Sequence, residues 1–154
     1  MANLADYVAQ VGAEYGIPPD LFVAQLDLES GLNPAAVGRN TDGSWDRGIA
    51  QINSRWHPEV TDAQAFDPAF AVPWAAQYLR GLYDRCGTWQ GALEAYNSGS
   101  CTGAPQYARA VLTRAGRLQD VAVLRPYPSL PAGDSRYLAL GAVVLALLAV
   151  IVWA

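Results

Sequence analysis

Apolar positions near the start of the chain recur with a helical period. Leu4, Tyr7, Val8, Val11 and Tyr15 are spaced by threes and fours, and Gly16 follows as a stop signal, so the pattern predicts an amphipathic helix. A second helix is predicted from Pro18-Pro19-Asp20 through LFVAQLDLES to Gly31. Proline suits a first turn, the acid suits the positive helix end, and Gly31 with Pro34 just beyond ends the run. Leu21, Ala24, Gln25 and Leu28 fall on one face of it. Periodicity is then lost until Asn53, and Asp42-Gly43 signals a tight turn, which predicts a small hairpin or irregular β turn before Gly48. Asp67-Pro68 opens a third helix with apolar positions at Phe70, Trp74, Tyr78, Leu79 and Leu82; Pro73 is expected to delay its regular start and Gly87 to end it. Thr88 caps a fourth helix that stops at Gly99, and a fifth is expected around 105–115 with Tyr107, Val111 and Leu112. These elements predict one nearly all-helical domain over about residues 3–115, with a short β element at most.

The pattern changes completely at the other end. Residues 137–154 read YLALGAVVLALLAVIVWA, without a charge. At about 1.5 Å per residue this run makes roughly 27 Å of helix, near the hydrocarbon thickness of a bilayer. Tyr137 and Trp153 bracket it as interfacial aromatics do. A buried core helix is the competing reading, but it would need an apolar partner on every side. The expectation is a C-terminal transmembrane helix. Residues 116–136, with Pro126, Pro128 and Pro131 and then Gly133, are expected to form a semi-rigid linker. Residues 1–16 lack a basic start and contain Asp6 and Glu14, which is not the pattern of an export signal. Arg125 and Arg136 lie on the domain side of the apolar run, a weak bias toward keeping the domain in the cytosol.

Composition narrows the classes. The 154 residues carry 14 acidic and 10 basic side chains, a formal charge of −4, and every basic residue is arginine. An acidic chain with no basic patch is a poor nucleic-acid binder. An apolar fraction of 52% excludes a disordered chain. Two Cys and one His supply no structural zinc site, and no cofactor or metal is implied.

Candidate chemistry starts with Glu29. It falls in the last turn of the second helix, where the dipole disfavours an ionised carboxylate and where a basic residue is the usual choice. A solvated glutamate is the plain alternative. Asn40, Asp42, Ser44 and Asp46 alternate as in a calcium loop, but the glycine is misplaced and no bidentate Glu follows. His57, alone beside Trp56 and Pro58, reads as a surface or capping group. Cys86 and Cys101 are the only cysteines; a bridge between them would contribute roughly 3 kcal/mol in the chain-entropy model. The alternative is two buried thiols.

Three separated segments carry a resemblance. Glu29-Ser30 at a helix end is followed by Gly31, Asn33-Pro34 and Ala36; Gly48-Ile49-Ala50-Gln51-Ile52-Asn53 comes second; Ala95-Tyr96-Asn97-Ser98-Gly99 comes third. In order and spacing, over about residues 4–115, they resemble the motifs of lytic transglycosylase (SLT-like) domains, a lysozyme-like family that cuts peptidoglycan. Asp67-Pro68 and Ala75-Ala76-Gln77-Tyr78-Leu79 also look like the family. Ile49-Ala50 departs from the family's usual Leu-Met. The stretch DGSWDRGIAQINSRWHP looks most like small members that open the wall for secretion or conjugation machines and for phages.

The resemblance implies a mainly α, lysozyme-like fold and a set of roles. Glu29 would be the general acid and then base, and Ser30 would orient the glycan or the carboxyl. Gln51 and Asn53 would line the cleft. Tyr96 would hydrogen-bond near Glu29, and Asn97 would contact sugar or fix its loop. The family's reaction breaks the bond after N-acetylmuramic acid (MurNAc) with the sugar's own 6-hydroxyl, giving a 1,6-anhydro end. That chemistry needs no second carboxylate, whereas ordinary glycosidases do. Asp27 faces nearly the opposite way from Glu29 on the helix, so Asp42 and Asp46 stay open as second carboxylates. A goose-type-like muramidase and a catalytically silent wall-binding protein are the alternatives. Expected partners are peptidoglycan strands, a lipid bilayer through 137–154, and other virion or secretion-machine proteins. The expected setting is the membrane of a bacteriophage particle, with the domain acting in the host periplasm. A bacterial inner membrane facing the periplasm is the alternative.

Overall fold

A computed structural model describes residues 3–122. The expected membrane helix over 137–154 and most of the expected linker lie outside the described residues. No helix among the described residues is long and apolar enough to cross a membrane. In order, the elements are α1 (Leu4–Glu14), α2 (Pro19–Ser30), β1 (Val37–Arg39), β2 (Trp45–Arg47), β3 (Ile52–Asn53), α3 (Asp62–Ala65), α4 (Pro68–Cys86), α5 (Trp89–Ser98) and α6 (Pro105–Ala122). The domain is mainly helical with one small sheet, as a lysozyme-like fold requires.

Helix α2 is the central element. Its side chains from Leu21 to Leu26 are all buried, so the one-sided face read from the sequence is in fact burial all round, with Gln25 the one polar member of the run. Phe22 is fully buried and packs onto Gly12 of α1, where a Cβ would stand 3.1 Å from the ring. Burying such a ring contributes about 2–3 kcal/mol. Ile17 from the α1–α2 connection and Leu79, Leu93 and Val111 from the flanking helices complete the core.

Helix boundaries follow the local signals. Asn3 caps α1 reciprocally with Asp6, and Thr88 accepts from the Gly91 amide to start α5. Gly31, Gly87 and Gly99 close α2, α4 and α5 in the left-handed conformation. Pro73 sits inside α4 without delaying its start at Pro68. A short capped helix, α3, was not legible beforehand; Thr61 and Gln64 hold it by a capping box. The last helix runs to Ala122, past the boundary expected near 115. No proline interrupts that stretch, and Ala115 and Leu118 continue its packing onto the core.

The expected turn is an antiparallel three-stranded sheet in the order β1-β2-β3. Gly38 pairs with Asp46, and Asp46 pairs with Asn53. Arg47 is 3% exposed, and its guanidinium donates to the carbonyls of Ile52, Val60 and His57 and to the Asp62 carboxylate. These four bonds tie β2 to β3, to the segment after it and to the start of α3. Cys86 and Cys101 are bridged, which clamps the end of α4 to the loop after α5.

Gly48 is the tightest backbone point. It has φ +69°, and a Cβ there would stand 1.9 Å from the Ala65 carbonyl oxygen. A side chain adds both left-handed strain and a backbone clash. Gly48→Ala is expected to destabilise the domain by at least about 2 kcal/mol, lowering Tm by roughly 5–10 °C in thermal melts.

Candidate active site

A groove of about 730 Å³ opens between the sheet and helices α4 and α5. Glu29 lines it from the last turn of α2, Gln51 and Asn53 from the second motif, and Tyr96 and Asn97 from the third. The three segments the sequence singled out therefore converge on one cleft.

Ser30 acts as a tie. Its hydroxyl donates to the Ile49 carbonyl at 2.8 Å and to the Leu26 carbonyl at 3.2 Å, and it accepts from the Asn33 amide. It fixes the end of α2 against the second motif and is not a wall of the groove. Gln51 has φ +49°, a strained conformation for a side-chain-bearing residue, and its amide donates to the Gly48 carbonyl at 2.8 Å. Tyr96 donates to the Ala50 carbonyl at 3.1 Å, so its hydroxyl serves the second motif and not Glu29 directly.

Glu29 Oε1 instead accepts a short hydrogen bond from the Tyr107 hydroxyl of α6. The sequence placed Tyr107 merely on the apolar face of the last helix. The available signal was that a tyrosine buried on such a face needs a partner for its hydroxyl. Burial raises the Glu29 pKa to about 7; the Tyr107 bond pulls it down, and the charge of Asp46 pushes it up. The helix-end position adds to this direction. Asp27, on the other side of α2, is taken up by an ion pair with Arg114 of α6.

Asp46 lines the groove from β2. Asn53 donates to its Oδ1 at 2.7 Å and Asn40 to its Oδ2 at 3.1 Å. Asp42 lines the groove too, but two hydrogen bonds from Ser44 and the Arg55 guanidinium hold its carboxyl down at about 2. Asp46 is thus the acid that acts on Glu29, while Asp42 staples the hairpin. His57, read as a surface group, lies in the groove with its ring edge-on to Trp74 and Tyr78 at 4.7 and 5.1 Å. Trp74 and Tyr78 stack at 5.3 Å and extend the aromatic wall toward Tyr96. The sequence marks Trp74 and Tyr78 only as apolar positions of the helix, because helical spacing is the same for a cleft face and a core face. Among the described residues, no group of His, Cys, Asp and Glu could hold a metal ion.

A buried carboxyl with a raised pKa in a polar, aromatic-walled groove of a mainly helical domain with a small sheet is the equipment of an enzyme that cleaves glycosidic bonds. The family model of the transglycosylase SLT domain matches residues 6–110. The chain belongs to this family, and at that level it is a peptidoglycan lytic transglycosylase. It is 34% identical over 103 residues to Protein IpgF of Shigella flexneri, covering 62% of this chain and 67% of that protein. It is 34% identical over 104 residues to Invasion protein IagB of Salmonella typhimurium, covering 62% and 64%. A shorter likeness, 60% over 35 residues, joins it to Lysozyme C-1 of Anas platyrhynchos, covering 23% and 24%. No solved structure matches.

The raised Glu29 pKa sets a pH signature. The folded value of about 7 exceeds the ordinary 4.5, so Glu29 costs the fold nothing below pH 4.5. Its cost grows as pH rises toward 7 and is fully present above it. Glu29→Gln removes a cost of roughly 3 kcal/mol at pH 8 and almost none at pH 4. Thermal melts are expected to show the variant stabilised at pH 8 and matching the wild type at pH 4.

Proposed function

We propose that the domain cuts peptidoglycan after MurNAc without water, leaving a 1,6-anhydro end. The observation that carries this is the carboxyl of Glu29, which lines the groove and whose pKa burial raises to about 7. The Glu29 proton passes to the glycosidic oxygen as the bond from C1 breaks. The resulting carboxylate then accepts the proton of the MurNAc 6-hydroxyl as that oxygen closes onto C1. Atoms balance with no water consumed, and Glu29 ends protonated for the next cycle. The aromatic wall of Trp74, Tyr78 and His57 offers apolar faces for sugar rings.

Asp46 favours a second reading, hydrolysis. A carboxylate in the same groove, close enough to raise the Glu29 pKa, could hold a covalent sugar or activate water. The two readings separate cleanly. Mass spectrometry of released muropeptides is expected to show anhydro ends; reducing ends would establish hydrolysis. Glu29→Gln is expected to lower wall clearing by roughly 10²-fold or more while the protein stays folded. Under the lyase reading Asp46→Asn keeps clearing at pH 6 and moves the alkaline limit of activity downward, because a charge that raised the Glu29 pKa is gone. Under the hydrolytic reading Asp46→Asn stops clearing at every pH.

For the setting, we propose local wall opening by a membrane-anchored domain carried in a bacteriophage particle, with residues 137–154 as the anchor. What supports it is the uncharged apolar run beyond the domain. The relative from Salmonella is a bacterial protein named for invasion, which favours a bacterial inner membrane facing the periplasm as the alternative. Peptide mass spectrometry of purified particles decides: detection supports the phage setting, and absence overturns it.

A further inference from the structure

Gln25 is a polar side chain buried in the core. It is 0% exposed, and neither its amide nitrogen nor its amide oxygen has a hydrogen-bond partner of regular geometry. An unsatisfied buried amide destabilises a fold, and a leucine of similar size would fill the site without that cost. Its position explains its presence. Gln25 lies one turn before Glu29 on the same face of α2, and its amide faces the Tyr107 hydroxyl, where it favours negative charge on the phenol oxygen. Tyr107 in turn donates to Glu29 Oε1. Three polar groups thus stand in sequence: amide, phenol, carboxyl.

A phenol has one proton and can point it one way. Left alone, Tyr107 can donate to the Glu29 carboxylate or accept from the protonated carboxyl. A donor on the far side of its oxygen selects the first arrangement. The catalytic proton of Glu29 then has one place left, on Oε2. Glu29 lines the groove and Tyr107 does not, so Oε2 is the oxygen left for a substrate. Contacts of this kind are commonly long in an unliganded site and tighten when substrate is seated.

We propose that Gln25 is a positioning residue for the proton of Glu29: its buried amide donates to the Tyr107 oxygen, turns the Tyr107 proton toward Glu29 Oε1, and leaves the acid proton on the oxygen that faces the glycan. The inference rests on Glu29 being the general acid. It also explains why the site keeps an amide that weakens the core.

The groups facing Glu29 are Tyr107 of α6, Tyr96 of α5 and Asp46 of β2; the Asp27–Arg114 ion pair joins α2 to α6 beside them. All of these stay in place in Gln25→Leu. That variant, with Gln25→Met as a second version of similar length, is expected to melt no lower than the wild type. Its kcat on purified peptidoglycan is expected to fall about tenfold with KM unchanged, because part of the protonated population now directs its proton at Tyr107. The neutral carboxyl gains a hydrogen bond it could not make before, so the alkaline limb of activity, near pH 7 in the wild type, moves up. In a Tyr107→Phe background Gln25→Leu is expected to add nothing further. A folded variant with unchanged kcat and alkaline limb overturns the proposal. So does an equal loss with and without Tyr107, since Gln25 would then act through packing. NMR titration of the Glu29 carboxyl carbon gives a readout without turnover: an upward shift in Gln25→Leu supports the proposal, and an unmoved value overturns it. Wild-type protein that cleaves no peptidoglycan defeats the reading of Glu29 itself, which the titration distinguishes from failure of the Gln25 inference.

Discussion

One carboxyl must be kept dry on one side and open on the other. Glu29 does its chemistry only if water is stripped from enough of its surface to hold a proton near neutrality, yet a glycan must still reach it. Helix α2 meets the first demand by running through the centre of the domain with every side chain from Leu21 to Leu26 buried, and the second by ending at Gly31, just where the groove opens. The desolvation that lifts the Glu29 pKa opposes folding once the acid ionises. The core formed around Phe22, Leu79 and Leu93 offsets that cost, and the Cys86–Cys101 bridge lowers the entropy of the unfolded chain.

The remaining parts hold geometry around that carboxyl. Ser30 couples the end of α2 to the second motif, Tyr96 couples the third motif to the same segment, and Tyr107 brings α6 onto Glu29. Each tie ends on the Ile49-Ala50 backbone or on the acid itself, so a shift in any one helix would be felt at the groove. Arg47 performs the matching task on the sheet side, where four acceptors satisfy a cation that would otherwise be costly to bury.

The helical frame and the three motifs were legible because they rest on local signals: capping residues at Asp67 and Thr88, stop glycines at Gly31, Gly87 and Gly99, and apolar periodicity. Glu29 stood out because an acid at a helix C-terminus opposes the dipole. Tyr107 and His57 did not stand out, since their roles arise from long-range contacts: Tyr107 is far along the chain from Glu29, and His57 gains its place only when α4 supplies Trp74 and Tyr78. Tyr96 was expected to hydrogen-bond near Glu29, but its acceptor, the Ala50 carbonyl, was not legible, because a motif suggests which residues meet and not which acceptor each hydroxyl takes. The three strands were legible only as a small hairpin or irregular β turn, being two or three residues long and too short for a period to show.

The polar hairpin decides what kind of reaction the acid can serve. Asp42 and Asp46 are four residues apart on the same ribbon, yet their surroundings differ. Asp42 is committed to Ser44 and Arg55, which stabilise its charge and leave it little basicity. Asp46 is held by the neutral amides of Asn40 and Asn53 and meets no cation among its described hydrogen bonds and ion pairs. Its charge reaches across the groove and makes Glu29 harder to ionise. A residue with that effect assists catalysis even if it never touches the sugar, because a stronger hold on the proton keeps the acid armed at neutral pH. It would also stabilise positive charge developing at C1 in the transition state, whichever oxygen finally attacks. Asp46 therefore has a use in both the water-free and the hydrolytic reaction, and its place in the groove alone does not select between them. What selects is whether the attacking oxygen belongs to the sugar or to water, and only the latter requires Asp46 to share electrons or a proton.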